Sequence, residues 1–247
     1  MNGGICEHLL WDTDFFGTQI ARLVPTTVNT AEIREAMGWA AKNRIDCLYF
    51  LCDANNPESV RLAERQGFRL VDIRVTKAIT LAAGSRLTCV FDKNAIRPAA
   101  AEDIPVLKAI AGVSHNDSRF FFDQGFNRSR CAALYEYWIE KSCNGWADAV
   151  FVTCQDDQPV GYITCHRDRP DLGRIGLMAV ASQAQGRGLG TSLVHAALGW
   201  FTEQHVLRVT VVTQGRNIGA QRLYERCGFV TIAVGLWYHG WAPFSVS

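Results

Sequence analysis

The sequence predicts an α/β fold, α+β in layout, with helices flanking a mixed central sheet. Three observations predict it. An apolar run at 175–180 leads into a glycine-rich loop at 185–190 that opens a helix. A short helix over 217–226 lies between an N-cap, Asn217, and a stop, Gly228. The second unit also occurs earlier in the chain: an offset of 161 residues maps Asn217, Leu223, Glu225, Arg226, Gly228 and Phe229 onto Asn56, Leu62, Glu64, Arg65, Gly67 and Phe68.

Taken in order, Leu9-Leu-Trp-Asp-Thr-Asp-Phe-Phe-Gly17 and 20–24 read as strand, turn and strand. Helical periodicity runs from 31 to 43, and a strand follows at 47–52. Asn56 then caps a helix that has Pro57 in its first position and Gly67 at its end. The small residues at 82–85 mark a junction between a first half, 1–85, and a second, 86–247. The second half opens with a strand at 95–98 and a helix start at 101–107, whose acids and Pro105 suit a first turn. A helix follows over 129–142, with Leu134, Trp138 and Ile139 on one side. Strands at 149–154 and 160–165 form a hairpin through Asp156-Asp-Gln-Pro159, ahead of the 175–180 strand, and a further strand spans 208–213.

Composition narrows the function. The chain has 247 residues, 48% hydrophobic and 20% charged, with net charge +1. Lys and Arg are scattered, which disfavours nucleic acid and anionic membranes as partners. No apolar run reaches bilayer length, and the N-terminus lacks the pattern of a signal peptide, so a cytoplasmic location is expected. Nine cysteines without C-x-x-C spacing read as reduced, buried thiols. His115, His166, His195, His205 and His239 show no metal-ligand spacing, so no metal is expected.

The glycine loop can cradle an anion, because backbone N–H groups and the positive end of a helix dipole would face it. It is no Walker loop, and Thr191 replaces the last glycine of a dinucleotide fingerprint. Asn217 and Tyr224 are seven residues apart and share a helix face, about 10 Å apart, while Ala220, Leu223 and Cys227 form a different side to bury. Together, Gln185-x-x-Gly188-x-Gly190 and Asn217-x-x-Ala220-x-x-Leu223-Tyr224-x-x-x-Gly228-Phe229 resemble the acyl-CoA-binding core of the GCN5-related N-acetyltransferases (GNAT).

That resemblance implies a GNAT fold with acetyl-CoA as co-substrate and no metal. The first half, which has no glycine at 24–29 and Ala63 in place of Tyr224, would be a truncated, non-binding copy, and 86–247 the catalytic domain. The resemblance implies that Met178, Ala179 and Val180 offer backbone groups to the pantetheine arm and thioester. Gln185, Gly186, Arg187, Gly188, Leu189, Gly190, Thr191 and Asn217 would complete the CoA site. Tyr224 would be the general acid that protonates the departing thiolate. The strand before the loop carries no acid to serve as base; Asp171 is the nearest and suits a turn.

For the acceptor, Arg119-Phe-Phe-Phe-Asp123-Gln-Gly-Phe126 is an aromatic-rich, irregular stretch able to stack a ring and pair a phosphate, although each phenylalanine alone suits an interface between the halves. With the N-terminal aromatic run and Trp237-Tyr238, it is similar to the bacterial TDP-fucosamine N-acetyltransferases, which implies a nucleotide-linked 4-amino sugar as acceptor and Arg119, Phe121, Asp123 and Trp237 as its contacts. A departure from them is Leu223, beside Arg222, where a basic residue precedes the tyrosine. A peptide or other small amine, and a non-catalytic acyl-CoA-binding module, are the alternatives. A homodimer is expected to cover a sheet edge that the first half leaves open.

Overall fold

The computed structural model describes residues 4–81 and 96–244. The junction expected at 82–85 lies outside the described residues. The first half comprises β1 (Cys6–His8), α1 (Leu10–Phe16), β2 (Ile20–Leu23), α2 (Thr30–Lys42), β3 (Cys47–Asp53), α3 (Pro57–Arg65) and β4 (Arg69–Thr80). The second comprises β5 (Ile96–Pro98), α4 (Ile104–Ser114), α5 (Arg119–Phe122), α6 (Arg128–Lys141), β6 (Ala149–Gln155), β7 (Gln158–Arg169), β8 (Leu172–Val180), α7 (Leu189–Glu203), β9 (Arg208–Gln214), α8 (Ile218–Arg226) and β10 (Val230–Trp241).

The helix signals act as read. Asn56 and Asn217 each accept a backbone N–H three residues on, at 2.9 Å, and Gly67 and Gly228 take left-handed φ values of 79° and 88° beyond the helix ends. Two readings need correction. The run expected as a strand at Leu9 is helix α1: Thr13 and Phe16 face inward at helical spacing, and left-handed Gly17 returns its N–H to the Thr13 carbonyl. The stretch at 119–126 is not wholly irregular, because α5 makes one helical turn of it.

Among the described residues one ten-stranded sheet runs in the order β1-β2-β3-β10-β4-β9-β8-β7-β6-β5. Only β2/β3 and β8/β9 are parallel. The two halves exchange strands at its centre. Strand β10 lies beside β3 of the first half, and β4 lies beside β9 of the second. The pairs from Gly235↔Asp53 to Trp241↔Cys47 become, at the 161-residue offset, the pairs from Arg74↔Gln214 to Thr80↔Arg208. The pair Gly235↔Arg74 maps onto itself, so a pseudo-twofold axis passes between β4 and β10.

Two polar latches repeat the same symmetry. Buried Lys77 on β4 donates to Glu225 of α8 at 2.8 Å and to Thr231 at 2.9 Å, and Tyr238 on β10 donates to Glu64 of α3 at 3.2 Å. The offset relates Lys77 to Tyr238 and Glu64 to Glu225. The exchange also closes the edge that a second copy was expected to cover, since β4 is paired on both sides. The outer strands of the described sheet are β1 and β5, three residues each.

Apolar alternation along the strands fills three cores. One lies under α4, α5 and α6, another under α2 and α3, and a third under α7 and α8. Tyr162 and Ala179 face the α4/α6 core, whereas Ile163, Met178 and Val180 face the α7/α8 core, so these helix layers cover opposite faces of the sheet.

Candidate active site

A cleft of about 390 Å³ opens where β8 leaves β9. Their ladder ends at Ile175↔Val211. On the other side of β8, Ile163 pairs with Met178 but Cys165 with Ile175, so one extra residue bulges at 176–177. Gly176 permits the bulge: a Cβ there would lie 2.6 Å from the His166 ring. The Leu177 N–H turns to the Thr164 hydroxyl at 2.8 Å. Beyond it Met178, Ala179 and Val180 border the cleft on a side with no neighbouring strand among the described residues.

The glycine loop forms one end. Gly186 and Gly188 have φ of 77° and 81°, and the Gln185 amide ties the loop to the Val180 carbonyl at 2.8 Å. Helix α7 starts at Gly188 with no side-chain cap and no acid in its first turn, which leaves its first N–H groups for an anion. The related helix α2 does the opposite. Asn29 caps Ala31 and Glu32, Glu32 bonds back to the Asn29 N–H, and the Ser59 hydroxyl bridges the Val28 N–H and carbonyl. Gly186, Gly188, Leu189, Gly190, Thr191, Gln185 and Asn217 all line the cleft, whereas exposed Arg187 lies outside its lining. A side chain at Gly190 would crowd Met178 and Leu223, whose nearest atoms are 3.1 and 3.3 Å from its Cβ position.

Tyr224 is buried, its ring packed edge-on to Phe229, with its hydroxyl 3.7 Å from the Met178 sulfur. The separation of helix faces expected from the sequence does not hold. Ala220, Leu223 and Tyr224 line the cleft together, and Tyr224 shares its core with Cys227. Burial pushes the Tyr224 pKa above its ordinary value, so the phenol keeps its proton at neutral pH.

The cleft reaches Ser114 of α4 and therefore crosses the sheet from the α7/α8 face to the α4/α6 face. Four residues on, Ser118 lines a smaller cavity of about 80 Å³ bounded by Asp72, Arg74, Arg119, Trp237 and the 212–214 end of β9. The Arg119 guanidinium carbon sits 4.1 Å from the ring centroids of Tyr49 and Trp237 and 4.4 Å from that of Phe120. It donates to His239 Nε2 at 3.0 Å, and His239 Nδ1 donates to Asp123 at 2.5 Å. Burial pulls the His239 pKa down to about 4 despite Asp123, so the ring is neutral at pH 7. Burial alone would raise Asp123, but hydrogen bonds from His239, Gly125 and Trp241 outweigh it and hold the carboxyl below its usual value.

Of the residues expected to contact the acceptor, Arg119 and Trp237 therefore share the small cavity. Asp123 borders a different one, near Gly67 and Trp241, and Phe121 packs against Tyr135. Cys47, Asp123 and His239 bring potential ligand atoms within 4.8 Å of one another, a grouping that linear spacing hides. Both ring nitrogens of His239 are already engaged, one by a cation. Asp171 sits at the far end of β8, its carbonyl bonded to the Leu207 and Arg208 N–H groups.

Sequence reasoning missed Asp72. Burial raises its pKa to about 6, against the pull of Arg216 and Arg119. Its local signal is faint: an acid inside the alternating run Val71-Asp-Ile-Arg-Val75, in a strand not read from the sequence.

Residues 113–229 match the family model described as Acetyltransferase (GNAT) family. The dTDP-fucosamine acetyltransferase of Escherichia coli O6:H1 is 25% identical over 235 residues, 94% of this chain and 96% of that one. The spore coat polysaccharide biosynthesis protein SpsD of Bacillus subtilis is 29% identical over 139 residues, 56% of this chain and 48% of that one. A solved tandem GNAT protein from the clavulanic acid biosynthesis pathway superposes with a TM-score of 0.64 at 15% identity, over 93% of this chain and 77% of that one, a likeness of fold. The matched family segment holds the cleft, the uncapped helix and Tyr224. Over residues 113–229 the chain is similar to the GNAT acetyltransferases, and with its acetyltransferase relatives this supports an acetyl-transferring enzyme.

Proposed function

We propose that the chain transfers acetyl from acetyl-CoA to the amino group of a nucleotide-linked amino sugar of the TDP-4-amino-4,6-dideoxyhexose type. The observation that carries this reading is a cleft that begins at an uncapped helix and crosses the sheet toward a cavity holding a buried carboxylate and a caged arginine. The near full-length similarity to a dTDP-fucosamine acetyltransferase supports the acceptor class.

In this reading the N–H groups of Gly188 to Thr191 hold the CoA diphosphate. The Met178 to Val180 backbone holds the pantetheine arm and polarises the thioester carbonyl, while Asn217 caps α8 and fixes the far wall. Asp72 accepts a proton from the acceptor ammonium. The freed amine attacks the thioester carbon, the C–S bond breaks as the intermediate collapses, and Tyr224 gives its proton to the thiolate; the nitrogen releases its second proton to water, and the Tyr224 phenol is restored from solvent. The first half binds no CoA in this reading but supplies Asp72 and Arg74. Cys6, Cys47, Cys52, Cys131, Cys143, Cys154 and Cys165 are free thiols, which supports a cytoplasmic location. The edge that suggested a homodimer is closed by β4, and light scattering checks whether the chain pairs by another surface.

The test is CoA-thiol release against TDP-4-amino sugars, free amino sugars and peptides. Release with the nucleotide sugars, lost in Tyr224→Phe, is the expected result. Release with peptides alone would refute the acceptor class.

A further inference from the structure

Resting on the acetyltransferase reading of the cleft, we propose that the small cavity beside it is an oxyanion subsite in which Arg74 and Arg119 bind one phosphoryl or carboxylate group of the acceptor. The cavity has the wrong charge to stand empty at low cost. Arg74 Nε is buried without a hydrogen-bond partner, and no acid pairs with Arg74 or Arg119 among the described residues. Burial and the nearby Arg119 both disfavour the charged form of Arg74, so the two guanidiniums repel each other. The surrounding groups do not balance them. His239 is neutral, and Asp123 spends its oxygens on His239, Trp241 and the Gly125 N–H. Asp72 is one carboxylate against two cations, with one oxygen taken by the Ile73 N–H at 2.8 Å. Arg216 adds a third positive charge near Asp72, its guanidinium 4.0 Å above Phe122 and bonded to the Val71 carbonyl.

Geometry favours an oxyanion over a cation or a ring. The aromatic cage fixes the plane of the Arg119 guanidinium and uses one of its donors on His239, leaving others for a planar or tetrahedral anion. About 80 Å³ admits one phosphoryl or carboxylate group but no nucleobase or sugar ring beside it. The rest of the acceptor then lies outside this cavity, with its amine directed at the Asp72 wall.

Calorimetric titration of the CoA-saturated protein tests this, since CoA occupies the other anion site at the α7 N-terminus. The probes are inorganic phosphate and acetate. Arg74→Gln should weaken binding of the preferred probe at least tenfold, and Arg119→Gln likewise. Asp72→Asn should tighten it severalfold at pH 8 by removing a repelling charge, a gain that damage to the fold would not produce. Preference for phosphate assigns a phosphoryl group, and preference for acetate a carboxylate. Absence of binding, or affinity unchanged in Arg74→Gln, overturns the subsite. Anion binding that persists while nucleotide sugars fail as acceptors would sink the proposed substrate and leave the subsite standing.

Discussion

In the proposed reaction Asp72 and Tyr224 divide the proton chemistry through their surroundings. Burial raises both pKa values, which makes the carboxylate a better base and keeps the phenol protonated. With Asp72 titrating at about 6, kcat/KM for the acceptor should fall as pH drops below 6. Asp72→Asn should lower the rate about 100-fold and abolish that limb of the profile. A limb that persists in Asp72→Asn would assign it to another group. His239 acts on stability with a definite sign. Its folded pKa of about 4 lies below the ordinary 6.5, so its contribution is present above pH 6.5 and is lost as pH falls toward 4. Asp72, raised from 3.8 to about 6, works in the opposite direction over its own range. Urea melts from pH 7 to 4 should show a declining midpoint, with a shallower decline in His239→Gln.

At the scale of elements, α7 and α2 show how one helix start stays open to an anion while its repeat is closed. A capping side chain and an acid close α2; glycines and the lack of a cap leave α7 open. Gly190→Val pushes a branched side chain against Met178 and Leu223, and should raise the KM for acetyl-CoA roughly tenfold or more. An unchanged KM would mean that the ligand does not lie along this wall. Helices α3 and α8 were legible because capping and stop signals are local: Asn56, Asn217, Gly67 and Gly228 act within one turn of where they stand. Strands β4 and β10 were not. Asp72, Arg74 and Lys77 interrupt the apolar alternation of β4, and the burial of Lys77 rests on a distant partner, Glu225. The first half of β10 faces solvent, which leaves its apolar residues without a readable pattern.

For the whole molecule, strand exchange makes one cooperative unit from two related halves. The offset of 161 was visible in the sequence, but its consequence was not, because nothing local to 69–80 says that β4 will pair with β9. That exchange brings Asp72 and Arg74 from the first half to a site whose other parts come from the second. Residues 1–85 produced alone should not fold, since β3 loses β10 and Tyr238 is lost to Glu64; native-like chemical-shift dispersion from that fragment would contradict the exchange. Lys77→Ala should cost about 2–4 kcal/mol in chemical denaturation, from lost packing and an opened cavity more than from the ion pair, because Glu225 remains solvated.

The central claim is acetyl transfer to a nucleotide-linked amine through a cleft of the second half and a neighbouring cavity that both halves line. The most direct measurement is CoA-thiol release from acetyl-CoA with a TDP-4-amino-4,6-dideoxyhexose as acceptor, in wild type, Tyr224→Phe and Asp72→Asn. The account predicts release in the wild type and a loss of about 100-fold in each variant. Full activity in both variants, or release with peptides and none with the nucleotide sugar, would contradict it.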